Sequence, residues 1–299
     1  MYSSQLKGIT NDPDLMVIPI DDHLVHRGDG AFEVIRCVGG KIYQLEQHLK
    51  RLKNSLKAIF LDPPEECDDI RAIIASMVIL GGKPDCLIRI FISRGPGSFG
   101  IDPYDCPARQ LYIILTRFKA VPYSYYQEGV RLITSHIPIK QSFFANIKSC
   151  NYLPNVLMKK EAIDKNCKFC VALDEDGFLA EGPTENIGVL TSDEILRFPG
   201  FERTLSGITV KRVIQLARDL VDEGLIKDVV FTKISVQDAY ESREIFLTGT
   251  SVNVIPVVKY DDKIIGEGIP GPVYQKMSKL LNEDMLYNNE LLTDLDMMA

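Results

Sequence analysis

The first feature with chemical potential is a lysine in the connection between two regular elements. Lys148 follows an apolar strand-like run at 130–135 and precedes a helical pattern that Pro154 opens at its first turn. A solvated lysine has a pKa of about 10.4, stays protonated and is chemically quiet. A connection between packed elements desolvates the amine, lowers its pKa and lets it condense with a carbonyl. Taken alone, the position also suits an ordinary surface lysine.

Four further kinds of group accompany this amine. The chain has a carboxylate at the end of a predicted hairpin, a tyrosine four residues after the lysine, an arginine on a predicted helix, and two turns rich in hydroxyl and backbone donors. They are Glu181, Tyr152, Arg51, the turn Gly207, Ile208, Thr209, and the turn Gly249, Thr250. Pyridoxal phosphate requires these groups around its ring nitrogen, ring oxygen and phosphate.

Each group has one role in such a site and one structural alternative. Glu181 suits the ring nitrogen, Tyr152 the ring oxygen and Arg51 the phosphate. The helix that opens near Gly207, with Ser206 as its expected N-cap, presents free amides to an anion. The alternatives are a solvated turn carboxylate, a core tyrosine and a snorkelling arginine. Spacing alone does not decide between them.

The elements that position these groups are predicted to form two domains of a mixed α/β (α+β) fold. An alternating pattern predicts a strand at 31–38, and apolar runs predict strands at 86–93 and 110–117 and a strand or strand pair at 15–20. Apolar residues spaced by three or four predict a helix from Leu45. We expect a small N-terminal α/β domain at 1–118, a linker at 119–129 and a larger C-terminal domain at 130–299, of mixed barrel-like architecture.

Composition indicates an ordinary globular protein. The chain has 299 residues, 45% of them hydrophobic and 25% charged, with a formal net charge of -7. No block of lysine and arginine stands apart from acidic neighbours, so no nucleic-acid or membrane partner is expected. His23 and His26 lack a third ligand, so no metal is expected. The absence of a signal peptide and of a long apolar run favours a cytoplasmic location.

Seven motifs in order resemble those of the fold-type IV (class IV) pyridoxal-phosphate aminotransferases, a family that includes branched-chain and D-amino-acid aminotransferases and aminodeoxychorismate lyase. They occupy residues 27–33, 48–52, 147–149, 151–152, 180–186, 205–209 and 248–250. The resemblance implies Lys148 as the Schiff-base lysine and Glu181 as the partner of the pyridine nitrogen. It implies Arg51, Ile208, Thr209 and Thr250 as phosphate ligands, with Tyr152 near the ring oxygen.

Within that family the chain is similar to plant-type D-amino-acid aminotransferases, through residues 16–28, 148–155 and 264–266. Bacterial D-amino-acid enzymes bind the substrate carboxylate with tyrosine, arginine and histidine, whereas the corresponding positions here are Phe32, Phe99 and Ile101. Another cation is therefore expected to bind the carboxylate. Arg27, on the loop before Gly28, is the first candidate and Arg89, within a strand, is the second.

The resemblance implies transfer of an amino group from an amino acid, with a D-amino acid favoured, to a 2-oxo acid. Lys148 then also moves the proton at Cα. Three alternatives stay open: aminodeoxychorismate lyase, a branched-chain L-amino-acid aminotransferase, and a pyridoxal-phosphate carrier without turnover. The family also implies a homodimer in which a loop of one subunit helps to close the site of the other.

Overall fold

The structure is a computed structural model in which residues 1–140 and 142–297 are described. The strands are β1 Tyr2–Ser3, β2 Gly8–Ile9, β3 Gly30–Val38, β4 Lys41–Tyr43, β5 Cys86–Ser93, β6 Gln110–Arg117, β7 Val130–Thr134, β8 Phe169–Val171, β9 Asn186–Leu190, β10 Ile195–Phe198, β11 Asp228–Phe231, β12 Glu244–Gly249, β13 Asn253–Tyr260, β14 Lys263–Ile264 and β15 Leu292–Thr293. The helices are α1 His23–His26, α2 Leu45–Ala58, α3 Ile70–Gly81, α4 Ser124–Gln127, α5 Ser142–Ala145, α6 Leu153–Asp164, α7 Ile208–Asp222, α8 Val236–Tyr240 and α9 Pro272–Tyr287.

Backbone contacts divide the chain into two units, which are discontinuous in sequence. The first unit contains residues 1–119, the segment 147–151 and the segment that begins at Met285. The second unit contains residues 120–146 and 152–284. The predicted bounds placed 147–151 and the C-terminal segment in the second domain. They lie in the first unit because residues 148–150 bond to β3 and because β15 pairs with β4.

The first unit is built on a seven-stranded sheet with the order β15-β4-β3-β5-β6-β1-β2. Strands β3 and β5 are antiparallel in continuous register from Gly30 opposite Ser93 to Cys37 opposite Cys86. Because side chains alternate between the two faces of a strand, the odd-numbered residues 31–37 of β3 share one face. That face packs in the core with apolar residues of α2 and α3.

The second unit is built on an eight-stranded mixed sheet. Seven of its strands have the order β11-β10-β9-β12-β13-β7-β8, and the eighth, β14, pairs with β13. Three of its pairs, β7 with β8, β7 with β13 and β10 with β11, are parallel, and the first and the last of them join strands that follow one another in the chain. A parallel pair needs a crossover connection, and α6 and α7 supply the two crossovers. The loop that follows β10 therefore leads directly to the start of α7, where the predicted phosphate turn begins.

The predicted mixed α/β architecture is confirmed, but several local predictions are wrong. No strand forms at 15–20, where Pro19 lacks an amide donor and the side chains of Val17 and Ile20 are 56% and 70% exposed. The N-cap of α7 is Gly207 rather than Ser206, because Gly207 has extended backbone angles and Ile208 is the first helical residue. The predicted linker contains α4. Among the described residues, no helix is both long and apolar enough to cross a bilayer.

Candidate active site

The backbone of Lys148 is bonded to strand β3 and to helix α2. The Phe32 amide donates to the Lys148 carbonyl at 3.0 Å, and the Cys150 amide donates to the Gly30 carbonyl at 2.9 Å. The Lys148 amide donates to the hydroxyl oxygen of Ser55, a buried residue of α2, at 3.1 Å. Because both backbone polar groups of Lys148 are bonded, the direction in which its side chain leaves the backbone is fixed.

The half-buried side chain of Lys148 lies beside a pair of aromatic rings. Its Nζ is 4.6 Å from the centroid of the Phe32 ring. Phe32 in turn stacks on Phe91 of β5, with ring centroids 5.8 Å apart and an angle of 18° between the rings. A cation at this distance from a ring face is attracted by the ring electrons. The structure thus brings two predicted site residues, Lys148 and Phe32, into contact.

The predicted phosphate ligand Arg51 is held by a buried carboxylate. Its Nε and one terminal nitrogen donate to the two oxygens of Glu33, at 2.7 Å and 2.8 Å. Nδ1 of His48 lies 2.7 Å from the same carboxylate. Glu33 is fully buried and the Arg51 side chain is only 11% exposed. This bidentate bond fixes the plane of the guanidinium group.

The charges of this cluster are set by burial and by close partners. Burial by itself raises the pKa of the Glu33 carboxyl. The adjacent Arg51 guanidinium and the His48 ring lower it by more than burial raises it, so the pKa of Glu33 is about 2. The pKa of His48 lies below its ordinary value, first because the ring is buried and also because Arg51 and Lys148 are cationic, although Glu33 opposes the shift. Near neutral pH the cluster therefore has an ionised Glu33 and a neutral His48.

Arg27 lies on the loop between α1 and β3, as expected, and is exposed. Each of its three guanidinium nitrogens donates to a backbone carbonyl, and the acceptors are His26, Phe99 and Gly100. In this position Arg27 ties its own loop to the loop at 99–100.

Arg89 lies in the middle of β5 and is half-buried. It faces Val34 across the β3–β5 pair, two residues from Phe91, so it shares a sheet face with Phe91 and Phe32. One of its terminal nitrogens donates to the hydroxyl of Thr116. Arg89 is therefore on the same face as the ring that contacts Lys148.

In the second unit, Glu181 is bonded to the loop that precedes α7. Its Oε2 accepts the Leu205 amide at 2.9 Å. Glu181 also forms an isolated antiparallel bridge with Asn186, the first residue of β9. The side-chain amide of Asn186 donates to the Leu205 carbonyl at 3.0 Å. Both backbone polar groups of Leu205 are therefore bonded to residues of this hairpin.

The start of α7 has the properties of an anion site. Gly207 is the N-cap and supplies no side-chain cap for the helix. Ile208 is buried and Thr209 is half-buried in the first turn. The first amides of a helix lack acceptors within the helix and carry the positive end of its dipole. The predicted turn at 207–209 can therefore bind a phosphate.

A second group of donors lies where β12 ends. Gly249 is the last residue of that strand, and Gly249 and Thr250 are both half-buried. The hydroxyl of the preceding Thr248 is buried and has no hydrogen-bond partner among the described residues. Thr248 pairs with Asn186 in the β9–β12 ladder, so both residues share a face. A buried hydroxyl without a partner is suited to a bound polar ligand.

Tyr152 is the N-cap residue of α6 and is half-buried. Its ring lies 4.6 Å from the Nζ of Lys140.

Sequence reasoning assigned no role to Glu33, His48, Ser55 or Asn186. Three of them lie within the seven motifs that resemble the family, and two of the four have a sequence signal. Glu33 is a carboxylate on the core-facing side of an alternating strand, and His48 is three residues from Arg51 on the same helical face. Ser55 and Asn186 form hydrogen bonds to backbone groups that are distant in sequence, and no local sequence pattern predicts such bonds. Within 1–140 and 142–297, no group of three or more His, Cys, Asp or Glu is arranged for a metal ion.

Comparison with known proteins decides the family. The Amino-transferase class IV family matches residues 30–260. The chain belongs to the class IV aminotransferases. It is therefore an enzyme of the transaminase type, and the expected fold-type IV architecture is confirmed by class IV structures that resemble it over nearly its whole length.

Three class IV aminotransferases illustrate the similarity. The chloroplastic D-amino-acid transaminase of Arabidopsis thaliana is 40% identical over 288 residues, which cover 95% of this chain and 76% of that protein. A putative branched-chain-amino-acid aminotransferase of Methanocaldococcus jannaschii is 30% identical over 264 residues, which cover 88% of this chain and 89% of that protein. The crystal structure of the T.th. branched-chain amino acid aminotransferase with pyridoxamine 5'-phosphate has a TM-score of 0.88 and 26% identity, and covers 95% of both chains.

Proposed function

We propose that this class IV aminotransferase uses pyridoxal 5'-phosphate and that Lys148 is the residue that binds the cofactor covalently. The observation that carries the proposal is the bonding of Lys148 to β3 and Ser55, which fixes the lysine beside Phe32. The bound cofactor supplies an aldehyde and a sink for the electron pair released at the substrate Cα. Nζ of Lys148 would act as the general base that takes the proton from the substrate Cα and passes it to the cofactor.

We assign further residues of the chain to the other parts of the cofactor. Glu181 is a carboxylate whose one oxygen is already oriented by a backbone amide, and we assign it to the pyridine nitrogen. Tyr152 is assigned to the ring oxygen. For the phosphate we assign Arg51, whose plane is fixed by Glu33, together with the donors of two turns. These donors come from Gly207, Ile208, Thr209, Gly249 and Thr250. The uncapped start of α7 and the unpartnered Thr248 hydroxyl support this assignment, within the described part of the chain.

For the substrate we propose an amino acid, with a D-amino acid as the preferred donor, and a 2-oxo acid as the acceptor. The 40% identity with a plant D-amino-acid transaminase supports the D-preference. The similarity to branched-chain aminotransferases supports the alternative, an L-amino-acid donor with an apolar side chain.

The test is to add D- and L-amino acids singly to the purified enzyme and to follow the absorbance of the bound cofactor. Conversion to the amine form with D-amino acids, and its reversal by 2-oxo acids, supports the proposal. Conversion by L-leucine and L-valine alone supports the branched-chain alternative. Release of pyruvate from aminodeoxychorismate without any 2-oxo acid supports the lyase.

We propose that one of two arginines binds the substrate carboxylate. Arg27, the first candidate from sequence, donates to three loop carbonyls, whereas Arg89 lies on the sheet face that also carries Phe32 and Phe91. The shared face favours Arg89. Parallel Arg27→Leu and Arg89→Leu variants separate them, because loss of the carboxylate partner raises KM for every amino acid.

We also propose a cytoplasmic homodimer. Large apolar side chains on α5 and α6 are exposed, which is typical of a surface covered by another protein. They are Phe143, Phe144, Leu153 and Val156, with exposed fractions between 49% and 67%. Sedimentation of the purified enzyme at the mass of one chain would contradict the dimer, and fractionation of cells tests the compartment.

A further inference from the structure

The loop before α7 is tied at a single residue to two side chains of the neighbouring hairpin. The Leu205 amide donates to Oε2 of Glu181 at 2.9 Å. The Leu205 carbonyl accepts the side-chain amide of Asn186 at 3.0 Å and the Gly207 amide at 2.7 Å. The position of the α7 start thus depends on the same residue that orients the Glu181 carboxylate.

Asn186, which bonds this loop, is itself held by two neighbouring strand segments. It begins β9, pairs with Thr248 of β12 and bridges to Glu181. Its side chain also packs directly on Gly207, since a Cβ at Gly207 would overlap Oδ1 of Asn186. The N-cap of α7 can therefore approach the asparagine only as glycine.

We infer that Asn186 is a positioning residue for the cofactor phosphate. By holding Leu205 and Gly207, it keeps the amides of the first turn of α7 at a fixed place relative to the carboxylate of Glu181. This inference rests on the proposed function, because it assigns the phosphate to the α7 start. Asn186 itself needs no contact with the cofactor, since it acts through the loop.

The experiment compares two ligands that differ only in the phosphate. Apoenzyme is titrated with pyridoxal 5'-phosphate and with pyridoxal, and both dissociation constants are measured for the wild type, Asn186→Ala and Asn186→Asp. The aspartate has the same shape but has no donor for the Leu205 carbonyl. The matched control is Asn282→Asp on the exposed face of α9, where Asn282 accepts a bond from Asn253.

The two Asn186 variants are expected to bind pyridoxal 5'-phosphate about tenfold more weakly, a typical consequence of one lost hydrogen bond in a site, while their affinity for pyridoxal changes much less. The control should match the wild type for both ligands. Gly207→Ala displaces the same turn and should reproduce the effect, which keeps the inference testable if one Asn186 variant does not fold.

Two results would overturn the inference. Unchanged affinity for both ligands would show that Asn186 does not position the turn. An equal loss for both ligands would show a general structural role, because the phosphate would then contribute as before. Failure of the proposed function has a different signature, since the wild-type apoenzyme itself would then bind pyridoxal 5'-phosphate no better than pyridoxal.

Discussion

The buried carboxylate of Glu33 allows a quantitative test of the cluster that holds Arg51. In Glu33→Gln the bidentate partner of Arg51 is lost, and a guanidinium that is only 11% exposed remains without its counter-charge. Removing one member of a buried ion pair costs about 3–5 kcal/mol. Urea unfolding of the apoenzyme at pH 7 should therefore show a free energy of unfolding lower by about that amount.

The chain contains a matched control on α2, the helix that carries Arg51. Glu46 pairs with Arg71 through the same two-bond geometry, at 2.8 Å and 2.7 Å, but the two side chains are 61% and 47% exposed. An exposed pair contributes at most about 1 kcal/mol, so Glu46→Gln should change the free energy of unfolding little. Equal losses in Glu33→Gln and Glu46→Gln would refute the reasoning, because burial would then have no effect on the strength of the pair.

The same cluster predicts the direction of the pH dependence. The pKa of Glu33 is lowered from 4.5 to about 2, so the unfolded chain binds a proton in this range that the folded protein does not. The stabilisation is present above pH 4.5 and is lost as the pH falls towards 2, by about 3 kcal/mol. His48 acts in the same direction, starting below its ordinary pKa of 6.5, because its folded-state pKa is also lowered. Glu33→Gln should lack the loss between pH 4.5 and 2, and a variant that retained it would contradict the assignment.

Three further predictions concern single residues. Ser55→Ala removes the acceptor of the Lys148 amide and should lower the free energy of unfolding by about 1–3 kcal/mol. It should also slow covalent attachment of the cofactor, measured by absorbance. Attachment at the wild-type rate would contradict this. Gly95→Ala places a side chain at φ +101° against a backbone carbonyl, so it should destabilise the fold by more than Gly40→Ala, at φ +83° with open space around it, when both are compared by thermal unfolding. Burial raises the pKa of Cys170 to about 12, so iodoacetamide should label it at pH 8 only after unfolding; rapid labelling of the native enzyme, measured by mass spectrometry, would refute this.

The sequence predicts the regular elements of the first unit well, because their patterns are local. Strands β5 and β6 have the predicted bounds, and α2 begins at the predicted Leu45. The segment at 15–20 shows where this reasoning fails. Its apolar residues suggest a strand, but a strand needs partners for its backbone groups, and Pro19 cannot donate one of those bonds. Whether an apolar run finds a partner strand is decided by the rest of the fold.

The sequence predicts the residue types of the candidate site, but it does not predict the side chains that hold them in place. Lys148, Glu181 and Arg51 lie in continuous motifs of the sequence. Arg51 is oriented by Glu33, which lies 18 residues away, and the Leu205 loop that bonds Glu181 is held by Asn186, which lies 19 residues from Leu205. Such bonds depend on how strands and helices pack, and sequence spacing alone does not reveal them.

Chemical trapping tests most directly whether Lys148 carries pyridoxal 5'-phosphate. The purified holoenzyme is reduced with borohydride, digested and mapped by mass spectrometry, with Lys148→Ala treated in parallel. The account predicts a reduced pyridoxyl group on the peptide that contains Lys148, and none on the variant. Modification of a different lysine, or a wild-type enzyme that carries no cofactor at Lys148, would contradict it.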